Sequence, residues 1–309
     1  MAGKPDTKSV PRTVVFQHTE IFYRSAKRCL MQKLIITVAL TGNVPTKEMN
    51  KNLPVTSDEI AENVRHCADV GASVFHVHAR DTNQKPTLDV DVYRQNVIQI
   101  KALAPEVIIQ LSTGARAGKD WESRVEPVRM LPEMASFTTG SNNLPGIVYE
   151  NSPQFIEHLA GVFKETGVKP EIEVFEPGMI NNAVYLKKNN LLKSPLHFNF
   201  VLGAPGSMLA SVKNLLFLSE CIPTGSTWTV AGIGKVEIPM AAAAILLGGH
   251  VRIGLEDNLY MPDGSPASNP ILVEKVVAIA REIGREIATP DEARKILSLN
   301  PKFIDRFKI

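Results

Sequence analysis

From Lys33 onward the chain repeats one pattern about eight times: a short β-branched apolar run, a small-residue or polar loop, then a longer segment with helical spacing. The runs predict strands at LIITVAL (34–40), SVFHVHA (73–79), VIIQLS (107–112), MASFTT (134–139), EIEVFE (171–176), HFNFVLG (197–203), TWTVAGI (227–233) and HVRIGLE (250–256). Between the strands, SDEIAENVRHCADVG (57–71) predicts a helix that Ser57 can cap and Gly71 can close, with Ile60, Val64 and Cys67 on its apolar face. DVYRQNVIQIKAL, SPQFIEHLAGVFKETG and NPILVEKVVAIAREIG fit the same template.

Strict βα alternation implies parallel strands joined by right-handed crossovers. Eight such units close most naturally into a (β/α)8 TIM barrel. The open doubly wound sheet is disfavoured because no GxGxxG or GxxxxGK[ST] fingerprint is present. The expected organisation is one barrel over residues 33–309, preceded by a peripheral extension over 1–32. That extension is basic and lacks the continuous apolar stretch of a secretory signal.

Composition adds mostly exclusions. With 44% hydrophobic and 21% charged residues, a net charge of +2 and no block of like charges, nothing points to nucleic acid or an anionic membrane surface. The longest apolar run, Ile238 to Gly249, is too short to span a bilayer and is rich in the small residues that pack a helix on a sheet. Cys29, Cys67 and Cys221 have no CxxC spacing, which fits a reducing compartment, the cytoplasm by default, and offers no thiolate metal site.

In a TIM barrel the chemistry sits at the C-terminal ends of the strands, so those ends form one candidate site. They carry Thr41 and Gly42; His76, His78 and Arg80; Ser112, Thr113 and Gly114; Ser136, Thr138 and Gly140; Glu173 and Glu176; Asn199 followed by GAPGS; GIGK; and Arg252, Glu256 and Asp257. His76 and His78, two apart in a strand, share a face and together can hold a metal. A third ligand would complete an open catalytic site. Glu256 is the best placed, because the last strand lies beside the first on closure. The same groups also fit plainer roles: a core histidine pair, a helix cap or ion pair at Glu256 and Asp257, a core-edge ion pair at Arg252, a cap at Ser112, and ordinary turns at the glycines.

Taken together, the segments ITVALTGN, NLPVTSDEIAENVRHCADVGASVFHVHARD, IIQLSTGA, PEMASFTTGSNN, EIEVFEPGM, FNFVLGAPGSM, WTVAGIGK and GGHVRIGLEDN resemble the β-keto acid cleavage enzymes, from about Lys33 to Pro301. The resemblance implies a (β/α)8 fold and a divalent metal, usually zinc. It also implies condensation of a β-keto acid with acetyl-CoA to give acetoacetate and a new acyl-CoA through a retro-Claisen step. Carried over by position, His76, His78 and Glu256 are the metal ligands and Asp257 the general base. Arg252 stabilises the anionic substrate or transition state, and Ser112 and Ser136 are substrate-side hydroxyls. Position 136 is often threonine in the family, so serine is a mild departure.

Thr138, Gly114 and, in the first loop, Val44 are expected on the substrate side as well. Val44 stands where users of amino-bearing substrates are expected to have an acidic residue, which favours a neutral or anionic substrate side chain. For acetyl-CoA, backbone amides at Gly203, Gly206 and Gly234, with Lys235, are candidates to face a pyrophosphate or pantetheine arm; ordinary barrel turns are the equal alternative. A His2Glu set accepts several divalent ions, so zinc or another is expected. Small-residue helices suggest a homo-oligomer, a dimer or tetramer. Two rival readings stand. One is a zinc-dependent TIM-barrel hydrolase, weakened because its HxH pair normally lies on the first strand and because His197 is poorly placed to serve. The other is a non-catalytic, metal-bound binding protein.

Overall fold

Eight parallel strands ring the molecule: β1 (Ile36–Ala39), β2 (Val74–Val77), β3 (Ile108–Leu111), β4 (Met134–Thr138), β5 (Lys169–Val174), β6 (His197–Leu202), β7 (Thr227–Gly232) and β8 (His250–Ile253). Each pairs with its sequence neighbours, and β1 pairs with β8 as well as β2, closing the barrel. The computed structural model describes residues 32–303 apart from 115, 117 and 119. The predicted extension, save its last residue, therefore lies outside the described residues, as do 304–309.

Every strand is followed by a helix: α1 (Ser57–Asp69), α2 (Val90–Leu103), α3 (Trp121–Arg129), α4 (Pro153–Thr166), α5 (Pro177–Lys188), α6 (Val212–Cys221), α7 (Glu237–Leu247) and α8 (Asn269–Ile283). A further helix, α9 (Pro290–Leu297), ends the fold. Among the described residues no helix is long and apolar enough to cross a membrane. The α1 stripe of Ile60, Val64 and Cys67 is buried as its spacing requires, but the cap differs from the expected Ser57. Thr56 and Glu59 form a reciprocal capping box, which satisfies two backbone N–H groups at once. Ser57 Oγ instead donates to Asn96 Oδ1 on α2 at 2.7 Å.

Alternation along the strands sorts the barrel into two environments. Outward residues such as Val38, Phe75, Ile109, Phe137, Ile172 and Phe198 join the large core shared with the helices. Inward, the N-terminal end is plugged by a separate apolar cluster, in which Ile35, Val74, Ile108 and Met134 pack against Ala288, Ala293, Leu297 and Leu299 from the α9 region. Above the plug the interior is polar where such barrels usually place branched aliphatics: Thr37, Gln110, Glu171, Asn199, Thr229 and Arg252 are all buried. Such groups need partners, and the floor of the site is built from them.

Candidate active site

Register brings the site together. Ala39 pairs with His76, His76 with Gln110, and Thr37 with Arg252, so the end of β8 stands across β1 from the histidines. β2 stops at Val77, and His78 lies between it and the short hairpin Ala79–Arg80/Pro86–Thr87. Both imidazoles still share one side: His76 Nε2 and His78 Nε2 are 3.1 Å apart. Glu256 Oε1 is 3.2 Å from His78 Nε2, and its Oε2 is 3.8 Å from His76 Nε2. Gly42 makes this possible. It has φ +59°, and a Cβ there would fall 2.5 Å from Glu256 Cγ, in the space the carboxylate arm occupies.

These three residues fit a divalent metal. His76 Nδ1 sits 2.6 Å from Gln110 Oε1, an acceptor that holds the proton on Nδ1 and leaves Nε2 with its lone pair toward the cluster. Two nitrogens bound tetrahedrally to one zinc stand about 3.3 Å apart, close to the observed spacing. Buried Glu256 Oε2 has no hydrogen-bond partner among the described residues, as an atom reserved for a cation would. His76, buried and close to Arg252, has its pKa pushed down to about 4, so it is neutral and able to ligate at ordinary pH.

Arg252 is the hub of the remaining charge. Its Nε donates to Asp257 Oδ2 at 2.8 Å and its Nη2 to Asp257 Oδ1 at 3.2 Å, while Nη2 also lies 2.9 Å from Glu256 Oε1. Nη1 lies 3.5 Å from Glu173 Oε1 but has no hydrogen-bond partner among the described residues. Burial pushes the Glu256 carboxyl up, yet His78, Arg252 and His76 together pull it well below the usual range. Asp257 moves the other way: burial, reinforced by the Glu256 charge, raises it against the pull of Arg252. Glu173 is raised by burial to about 7, partly offset by Arg252 and by Thr138, whose Oγ1 donates to Glu173 Oε2 at 2.6 Å.

A cavity of about 320 Å³ covers these groups. His76, His78, Arg252, Glu256, Asp257, Ser112, Gly114 and Val44 line it, each of them expected at the site from sequence. Ser136 and Thr138 stand behind its wall: Ser136 Oγ accepts from Thr113 N, and Thr138 holds Glu173. Gly203 and Gly206 line neither this cavity nor its neighbour. Cβ atoms there would meet Val236 and Ala210, or the backbone of Asn143, so both glycines serve close packing. Gly234 lines the neighbouring cavity. Arg80 donates to the carbonyls of Gly42 (2.7 Å) and Pro45 (2.8 Å), fixing the loop that presents Val44.

Gln110, Tyr149 and Arg116 are absent from the sequence-based candidate site, and Glu173 is in it only as a strand end; all but Gln110 line the cavity. Gln110 was findable, since alternation points it inward from a strand already predicted. Tyr149, from the hairpin Asn142–Leu144/Ile147–Tyr149, carried no such signal because loop geometry placed it.

Residues 33–299 match the model of the beta-keto acid cleavage enzymes. The chain belongs to that family. It is 47% identical over 272 residues to the 3-keto-5-aminohexanoate cleavage enzyme of Fusobacterium nucleatum, covering 87% of this chain and 99% of that one. It is 37% identical to the 3-oxoadipate:acetyl-CoA acetyltransferase of Cupriavidus necator, with 89% and 98% covered. Among solved structures, ObcA in ternary complex with a C4-CoA adduct and oxalate superposes with a TM-score of 0.71 at 23% identity, over 80% of this chain and 68% of that one. That likeness concerns the barrel fold. Membership in the family makes this chain an enzyme acting on β-keto acids.

Proposed function

We propose that the enzyme moves the C2 unit of a β-keto acid onto acetyl-CoA, so that R–CO–CH2–COO⁻ and acetyl-CoA become acetoacetate and R–CO–CoA. One juxtaposition supports this above all: the His76/His78/Glu256 cluster shares a cavity with the Arg252–Asp257 pair. A divalent ion on that cluster, zinc by the nature of its donors, would supply Lewis-acid polarisation of the keto oxygen. The chain's own groups do the rest. Arg252 Nη1, a donor with no hydrogen-bond partner among the described residues, meets the substrate carboxylate or a developing oxyanion. Asp257 removes a proton from C2, and its raised pKa makes it a better base than an ordinary carboxylate.

The C2 carbanion then attacks the thioester carbonyl and expels the CoA thiolate, giving a C2 that carries two acyl groups. The thiolate adds to the original keto carbon, the C2–C3 bond breaks, and Asp257 returns its proton to C2 of acetoacetate. Ser112, at the cavity wall, offers a hydroxyl to the substrate carboxylate.

The substrate side chain is neutral or anionic. Glu173, Glu256 and Asp257 all face Arg252, Val44 is apolar, and Arg116 adds a cation to the lining, so among the described residues of the lining no carboxylate is left over for an ammonium group. The enzyme acts in the cytoplasm as a homo-oligomer. Exposed Leu209, Val212, Leu216 and Phe217, on and before α6, give it an apolar face for self-association.

A panel assay tests the reaction: metal-loaded enzyme, acetyl-CoA and β-keto acids with cationic, neutral and anionic side chains, following acetoacetate and new CoA esters. Acetoacetate should require acetyl-CoA and vanish in His76→Ala. Preferred turnover of the cationic substrate would overturn the side-chain assignment, and no product from any member would overturn the reaction.

A further inference from the structure

The charged centre is bordered by two cavities. The first, of about 320 Å³, holds the His76 and His78 side chains and Arg252. The second, of about 420 Å³, lies over the β7–α7 turn and the loop after β8. The two share Val44, Ile233, Glu256 and Asp257, so the base is a common wall. We propose that the second cavity receives the pantetheine arm of the acyl-CoA, with Lys235 at its rim on the phosphate side. The proposal rests on the reading that a CoA thioester is the second reactant.

Three observations carry it. A keto acid directed to a metal that the histidines would hold enters the first cavity, since of the two only that one exposes them. Its reaction partner then has to reach C2 beside Asp257 from another side, and the second cavity opens onto Asp257 without touching either histidine. Its lining suits a long, flexible, mostly apolar arm: Met49, Ile238, Leu259 and Met261 supply the walls, and beyond Glu256 and Asp257 at the inner end no lining residue is a carboxylate. Lys235 is exposed in the short turn Gly234–Val236 and forms no ion pair among the described residues, so its charge is available to a phosphate.

The cavity is also preformed. Asn50 Nδ2 donates to the carbonyls of Leu259 (2.8 Å) and Ala267 (3.0 Å), and Tyr260 Oη donates to that of Met49 (3.2 Å). These bonds latch the loop after β1 to the loop after β8. Gly234 N donates to the Asp257 carbonyl at 2.7 Å and ties in the third side. A binding site whose walls are already fixed loses less entropy on occupation.

The test uses the full metal-loaded chain and two variants outside the charged centre, Ile238→Trp to fill the cavity and Lys235→Glu to reverse its rim. Both should raise KM for acetyl-CoA roughly tenfold or more while KM for the keto acid stays within about twofold. With S-acetyl-N-acetylcysteamine, which lacks the phosphates, Lys235→Glu should match the wild type and Ile238→Trp should remain impaired. Calorimetric titration with CoA itself gives a readout independent of turnover. Weakened CoA binding in both variants supports the site even if the wild type shows no condensation, in which case only the reaction reading fails. CoA affinity unchanged in both variants, no binding of CoA by the wild type, or an equal rise in both KM values would overturn the proposal.

Discussion

Arg252 is buried, and its three nitrogens address three carboxylates: Asp257 through two hydrogen bonds, Glu256 through an ion pair at 2.9 Å, and Glu173 at longer range. The result is a graded set of acids around one cation. Glu256 is held ionised by His78, Arg252 and His76, whereas Glu173 is raised to about 7 by burial. A carboxyl raised from 4.5 in the unfolded chain to about 7 in the fold binds its proton more tightly when folded. Its contribution to stability is therefore greatest at the acidic side and is lost as pH rises through that window. In metal-free enzyme, Glu173→Gln should flatten the fall in urea midpoint between about pH 4.5 and 7 relative to wild type. An unchanged slope would mean that Glu173 titrates normally.

At the scale of elements, the ends of strands and helices do most of the positioning. The N-terminal end of the barrel is closed by α9, and a buried ion pair fastens it: Arg294 Nε and Nη2 contact Glu133 Oε2 and Oε1 at 2.7 and 2.9 Å, and Nη2 also donates to the Glu106 carbonyl at 2.7 Å. Removing one partner leaves a buried charge poorly compensated, so Arg294→Met should cost about 3–5 kcal/mol, read from urea midpoints. The double variant Arg294→Met/Glu133→Leu should recover much of that loss.

All eight strands were legible, because β-branched runs separated by helical spacing are a strong local signal, and closure followed from their number. Strand ends were less so. β5 begins at Lys169 and stops at Val174, short of the expected Glu176, because Pro177 opens α5. β8 stops at Ile253, where Gly254 takes φ +137°. The His76/His78 pair and Glu256 were visible because strand periodicity and barrel adjacency are both readable in one dimension. Tyr149 and the two-cavity arrangement were hidden because they depend on how long loops fold over the barrel mouth.

For the whole molecule, metal and fold should be linked. The proposed ligands come from β2, from the residue just beyond its end and from the loop after β8, so an ion bound to them would span the β1 seam where the barrel closes. Binding at a hundredfold excess over Kd adds about 2.7 kcal/mol of stability. Dialysis against a chelator should therefore lower Tm by several degrees, zinc should restore it, and His76→Ala should show neither change. A wild-type Tm indifferent to chelator would argue against ligation at this cluster. The same seam has a consequence for synthesis. On the ribosome, His78 emerges six strands before Glu256, an interval of about 10–35 s at ordinary elongation rates. During that time the nascent chain offers two imidazoles and no carboxylate held beside them. On the proposed ligation, capture of an ion would wait until the last strand has been made and docked, and an incomplete translation product would lack the third ligand.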